Sequence, residues 1–183
     1  MNRTKSMLLL AGFAVSMLGM SGAGAMTMSK TEYNAQQDKI KSDYKIANEK
    51  CKAMSGNAKD VCHEEAEATE KKASANAEAD YKNTPKARSD AAIAGANADY
   101  DVAAQKCKAM TGNEKDVCIK EAKAAQTKVT ADAKAQGKMA NAQMDANEDK
   151  RDANYKVAVE KCDGMSGTAK DQCKTDAKAK YGK

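Results

Sequence analysis

The sequence predicts an all-α protein: three disulfide-stapled antiparallel helical hairpins forming an elongated coiled-coil-like rod or narrow bundle. Three observations carry that prediction. A 23-residue unit recurs as YKIANEKCKAMSGNAKDVCHEEA at Tyr44–Ala66, YDVAAQKCKAMTGNEKDVCIKEA at Tyr100–Ala122 and YKVAVEKCDGMSGTAKDQCKTDA at Tyr155–Ala177, with starts 56 and 55 residues apart. All six cysteines fall inside the units, spaced C-x10-C. Apolar and small residues recur in alternating steps of three and four, the period of a coiled-coil helix.

In chain order, the N-terminus reads as an export signal. Arg3 and Lys5 form a basic n-region, Met7–Leu18 an apolar stretch, and Ala23-Gly24-Ala25 a small-residue cleavage site. The expected mature chain is 26–183, with residues 1–25 removed after Ala25, and the expected compartment is the periplasm. The apolar run is too short to span a bilayer comfortably, so no membrane span is expected in the mature form.

The mature chain then divides into repeat units 30–84, 85–141 and 142–183. In the first, Tyr33, Gln37, Ile40, Tyr44, Ala47, Cys51 and Met54 make one seam, and Cys62, Ala66, Thr69 and Ala73 make its thinner partner. The second carries Ile93, Ala96, Tyr100, Ala103, Cys107 and Met110 against Cys118, Ala122, Ala125 and Val129. In the third, Met144, Glu148, Arg151, Tyr155, Ala158, Cys162 and Met165 form a seam with two charged interruptions.

Each seam breaks at a readable turn. Gly56, Gly112 and Gly167 stand where a left-handed backbone ends a helix. Asn57, Asn113 and Thr168 follow as expected N-caps, with Asp60, Asp116 and Asp171 three residues later in a capping-box-like arrangement. Thr84-Pro85 reads as an N-cap with proline at N1, and Gly137 is the one weak break between the second and third units. The resulting division is six helices at 30–54, 58–83, 85–110, 114–136, 138–165 and 169–181, with a continuous helix through Gly137 left open.

The cysteines gain a geometric role from this layout. Cys51 and Cys62 are equally distant from the centre of the Gly56-Asn57 turn and lie on facing seams. An oxidising compartment and an even cysteine count then favour the pairs Cys51–Cys62, Cys107–Cys118 and Cys162–Cys173.

Composition limits what else the chain can be. Every leucine and the single phenylalanine precede residue 26, leaving four isoleucines and six valines as branched aliphatics in the mature chain. No core of ordinary thickness follows from that, whereas alanine, lysine and glutamate support helices packed closely or standing in solvent. Without Arg3 and Lys5 the charge is 29 basic against 26 acidic residues, interspersed along the chain. Such a pattern fits solvated helix faces with i,i+4 pairs and no nucleic-acid patch.

Reactive chemistry finds little footing. Lys50 and Lys52 flank Cys51, and Lys106 and Lys108 flank Cys107, which would lower a thiol pKa, but C-x10-C across a turn lacks the C-x-x-C geometry of thiol–disulfide exchangers. His63 has Glu67 four residues on, and one such pair falls short of a metal site. The run Ser55–Asp60 lacks the Gly-Lys-Ser/Thr ending and preceding strand of a phosphate loop. No catalytic, cofactor-binding or metal-binding residue is therefore assigned, and no cofactor is expected.

The core K-C-x-x-M-[ST]-G-x-x-K-D-x-C, with Tyr-Lys-Asn-Thr-Pro-Lys-Ala-Arg at Tyr81–Arg88, resembles a group of uncharacterised exported proteins of proteobacteria. These are Ala/Lys-rich and sometimes loosely labelled TolA-like cell-envelope proteins. The resemblance implies a periplasmic helical protein with no established activity.

The leading expectation is a non-catalytic, envelope-associated structural or stress-related factor. Its alternative is a binding or chaperone-like module for unfolded protein clients or envelope polyanions, and a thiol-redox protein ranks third. One feature separates the first two: methionines 54, 110 and 165 fully packed against neighbouring helices favour the rod, and apolar surface clustered around them at the hairpin tips favours the binder.

Overall fold

The architecture, given by a computed structural model that describes residues 28–183, is all-helical. The expected signal peptide and its cleavage point lie outside the described residues. Five helices follow one another: α1 Lys30–Cys51, α2 Gly56–Lys82, α3 Pro85–Cys107, α4 Gly112–Asp163 and α5 Gly167–Tyr181. Local sequence explains most of their ends. Ser29 and Glu32 close a reciprocal capping box at the start of α1, each side chain accepting from the other's backbone N–H at 3.2 and 2.8 Å. Asn83 ends α2 in the left-handed conformation with φ 48°. Thr84 then caps α3, accepting from the Ala87 N–H at 3.1 Å, and Pro85 takes the first helical position.

Two features depart from the sequence-based division. First, α1 and α3 stop at their cysteines, three residues earlier than expected. Second, the expected helices 114–136 and 138–165 are one 52-residue helix, α4, so the boundary at 141 between the second and third repeat units falls inside it. At 1.5 Å per residue α4 runs about 78 Å. Gly137 is not a break. A Cβ there would sit 2.9 Å from Ser89 Cβ, so glycine serves a close approach of α4 to α3. The Ser89 hydroxyl confirms that proximity by donating to the Ala133 carbonyl at 2.9 Å.

Among the described residues, only helices consecutive in sequence pack on one another: α1 on α2, α2 on α3, α3 on α4, and α4 on α5. The backbones of α1 and α3 stay apart, as do those of α2 and α4. Successive helices are antiparallel, so the turns at Gly56 and Gly112 lie at one end and the turn at Gly167 at the opposite end, carried there by α4.

The packing material is mostly alanine. Ala79, Ala87 and Ala91 form the buried cluster between α2 and α3, with Ala75 against it. Small side chains let helix axes approach to the short end of the usual 8–10 Å. Among the described residues Ile40 is the one buried branched aliphatic, at 7% exposure, and the largest fully buried side chains are Cys51, Cys107 and Cys162. A buried methyl contributes about 0.8 kcal/mol, whereas closing a loop of this size with a disulfide contributes roughly 3 kcal/mol. Each staple therefore weighs as much as several buried alanines.

Candidate functional site

The three disulfides are Cys51–Cys62, Cys107–Cys118 and Cys162–Cys173, with Cα–Cα distances of 5.5, 5.8 and 5.6 Å. Each joins the last turn of one helix to the second turn of the next. No described cysteine is free, so none offers a thiolate as nucleophile or ligand in this state.

The turn glycines adopt the left-handed backbone that the repeat requires: Gly56 and Gly112 have φ 58° and Gly167 has φ 59°. Their place is different from the expectation. Each opens the following helix, after an extended residue at Ser55, Thr111 or Ser166. The expected caps at Asn57, Asn113 and Thr168 are thereby corrected: each lies one residue inside its helix. Asp60, Asp116 and Asp171 fall past the first turn. Because glycine itself makes the reversal, the helix begins earlier, and no side chain caps it at Ser55, Thr111 or Ser166. Asn57 is used otherwise. Its Oδ1 accepts from Gln105 Nε2 at 3.1 Å, and Gln105 Oε1 accepts from Lys108 Nζ at 2.5 Å. Gln105 is the one buried polar side chain among the described residues, and with the Lys106–Glu65 pair at 2.7 Å it ties the first two tips together.

Methionine is where the tips turn outward. Met54, Met110 and Met165 are 48, 43 and 48% exposed. Met54 also edges a groove of about 540 Å³ along the first hairpin. The groove is the meeting of the two seams read from the sequence: Ile40, Tyr44, Ala47 and Cys51 from α1 face Cys62, Ala66, Thr69 and Ala73 from α2, and Asp43, Lys50, Glu65 and Glu70 stand among them. Alanine and threonine on α2 leave unfilled the space opposite Ile40 and Tyr44.

Other parts of the first hairpin hold its register. Gln37 donates to the Ser74 carbonyl at 3.4 Å and accepts from the Ser74 hydroxyl at 3.2 Å. Tyr33 stacks on Tyr81 at 4.8 Å with the Lys30 ammonium over both rings. Tyr81 lies on no seam, so this contact was not legible from periodicity. The third hairpin pairs Tyr155 with Tyr181 edge to face at 6.4 Å. In the second, Tyr100 meets Lys123 at 5.1 Å instead.

His63 hydrogen-bonds to Asn48 Oδ1 across the first hairpin and acts as a structural residue. Among the described residues no group of His, Cys, Asp and Glu is arranged to hold a metal ion, and no helix is long and apolar enough to cross a membrane. Apart from Glu32, which the Ser29 backbone and hydroxyl hold low in the α1 capping box, the perturbed acids and bases sit in surface pairs. Asp163 accepts from Lys174 and Lys170 at 2.8 and 3.0 Å, which holds its carboxyl below the ordinary aspartate value and pushes Lys174 upward. Comparison with known proteins finds no matching family model, no similar curated protein and no matching solved structure.

Proposed function

We propose that this chain is a non-catalytic binding module that works in an oxidising compartment outside the cytoplasm, with the periplasm as its place. It holds protein clients through the apolar groove of the first hairpin and the methionine tips. The observation that carries this reading is the exposure of Met54, Met110 and Met165 together with the open, largely apolar seam below Met54. Flexible, polarisable methionine suits surfaces that accommodate varied apolar partners. Disulfide-clamped tips present those side chains from a fixed frame, which lowers the ordering cost of binding. The three disulfides support the compartment, since such bonds persist in oxidising surroundings. A structural envelope rod is the second reading, and the uninterrupted 52-residue α4 favours it.

Light scattering of an aggregating, reduced client protein tests the binder. The oxidised chain is expected to delay aggregation, and Tyr44→Ala with Met54→Ser to weaken the delay several-fold while circular dichroism stays unchanged. No delay with any client, together with no crosslinked client in periplasmic extracts, would leave the rod as the function.

A further inference from the structure

We propose that two copies of this chain pair antiparallel through α4, using a face that one copy leaves uncovered. The internal repeat supplies the template. Between α2 and α3, Ala79 packs on Ala87 and Ala91 with Ala75 beside them, and Lys106 bonds Glu65 at 2.7 Å across the same interface. One repeat further along the sequence, the positions of Ala68, Ala75 and Ala79 are Ala124, Ala131 and Ala135, and those of Ala87, Ala91 and Ala98 are Ala142, Ala146 and Ala153. Had the chain turned back at Gly137, these two sets would have met. Because α4 runs straight through, both stand on one helix, and all but the half-buried Ala146 are exposed.

The six alanines share a single face. With 3.6 residues per turn they lie within about 60° of one another around the helix. Val117 at 43% exposure, Met139 at 64% and Val157 at 55% border the same stripe, and between Ala124 and Ala153 only Lys128 and Asp149 bring charge into it, one of each sign. The other sides of α4 are taken: Ala133 and Gly137 face α3, and Tyr155 and Cys162 face α5.

Transferring the α2–α3 register to two copies of α4 sets residue 124 beside 153 of the partner and places Met139, the most exposed large apolar side chain among the described residues, at the twofold axis. Charges then complement. Glu121 and the partner's Lys161 occupy the places of Glu65 and Lys106. Lys128 meets the partner's Asn154 in place of the Lys72–Asp99 pair, and the partner's Asp149 brings a carboxylate to it. Lys150 stands where Gly95 leaves room for the Lys72 side chain, so Lys128 turns towards Asp149. The contact is isologous, which closes the assembly at two copies. Each half of the dimer then continues the helix order of the first two hairpins with the partner's α4–α5 hairpin.

Sedimentation equilibrium of the full exported chain is expected to show a monomer–dimer equilibrium. Glu121→Lys or Lys161→Glu alone should raise the dissociation constant roughly tenfold, since symmetry repeats the surface pair twice, and the double reversal should restore it. Within one copy these residues are 40 apart on α4, about 60 Å, so rescue reports a contact between copies. Zero-length crosslinking of mixed light and heavy chains should yield mixed-isotope Glu121–Lys161 peptides. A chain that stays monomeric at its highest soluble concentration overturns the proposal. So do same-isotope crosslinks alone, which would mean that α4 folds back at Gly137.

Discussion

The N-terminal part of the molecule, from α1 to the first half of α4, and the distal hairpin of α4 with α5 are built from one repeat but held in different ways. In the first part α2 and α3 each have a helix on both sides, and buried alanines line both contacts. In the distal hairpin α5 meets α4 alone, Cys162 and Ala177 are its buried apolar residues, and residues 138–151 of α4 stand almost wholly exposed between the two parts. The same C-x10-C staple is therefore one support among several in the first region and the main one in the second. Alanine packing is cooperative across neighbours, so the stability of one hairpin depends on what lies beside it.

Removing single staples separates the regions most strongly. Cys162→Ser with Cys173→Ser is expected to release α5, with loss of amide protection across Gly167–Tyr181 and about 3 kcal/mol of local stability. Cys107→Ser with Cys118→Ser removes an equal loop closure, yet α3 keeps α2 and α4 on its flanks, and protection there should fall by less. Equal losses measured by hydrogen exchange would break the comparison. Full reduction should lower the melting temperature while circular dichroism retains substantial helix, because propensity and i,i+4 pairs support the helix bodies.

A smaller effect is expected from Gly137→Ala. Alanine favours the helix by up to about 1 kcal/mol, but its Cβ meets Ser89 Cβ at 2.9 Å, and overpacking costs typically about 1–3 kcal/mol. Net destabilisation should appear in the α3–α4 contact and be absent from α5, and Ser89→Gly in the same background should relieve it. Stabilisation throughout would mean that the close approach is not tight.

Gln105→Ala comes next. It leaves Asn57 Oδ1 and Lys108 without their partner and should cost about 1 kcal/mol, loosening the first two tips from each other while the third is unaffected. Thermal unfolding with tip-specific hydrogen exchange reads this directly.

Acidification should give the smallest difference, falling on the distal hairpin and on the α1 capping box, where Ser29 holds Glu32 low, and sparing α2 and α3. Asp163 is held below the ordinary value of 3.8 by Lys174 and Lys170, and Asp152 by Lys183. Carboxyls lowered by folding favour the folded state above their ordinary value. That contribution fades as pH falls through 3.8 and below, so α5 should fray earlier than α2 or α3 in an acid titration followed by NMR. Exposure and salt keep the effect slight.

Much of this was legible because a repeat multiplies weak signals. One glycine between two periodic stretches is a poor turn marker, but three at the same position beside symmetric cysteines define a stapled hairpin, and the pairing follows from it. The seams from Ile40 to Met54 and from Cys62 to Ala73 likewise picked out residues that line the groove, but not the groove itself, since small residues on α2 read as a sign of close packing. Boundaries were harder. Asn57 resembles a cap by type and spacing, yet Gly56 at φ 58° begins the helix before it and leaves its side chain to Gln105. Gln105 looked like any polar helix residue, since burial of a single amide depends on a neighbouring hairpin that no local pattern announces.

The sequence by itself determined the helices, the turns that separate most of them and the cysteine partners, because these follow from propensity, glycine geometry and short loops. Tertiary structure alone decided the fate of Gly137. A glycine is equally suited to ending a helix and to letting two helices touch, and the choice rests on Ser89, 48 positions earlier in the chain. With α4 unbroken past that contact, the third hairpin is carried away from the other two and an alanine face stays open along the helix.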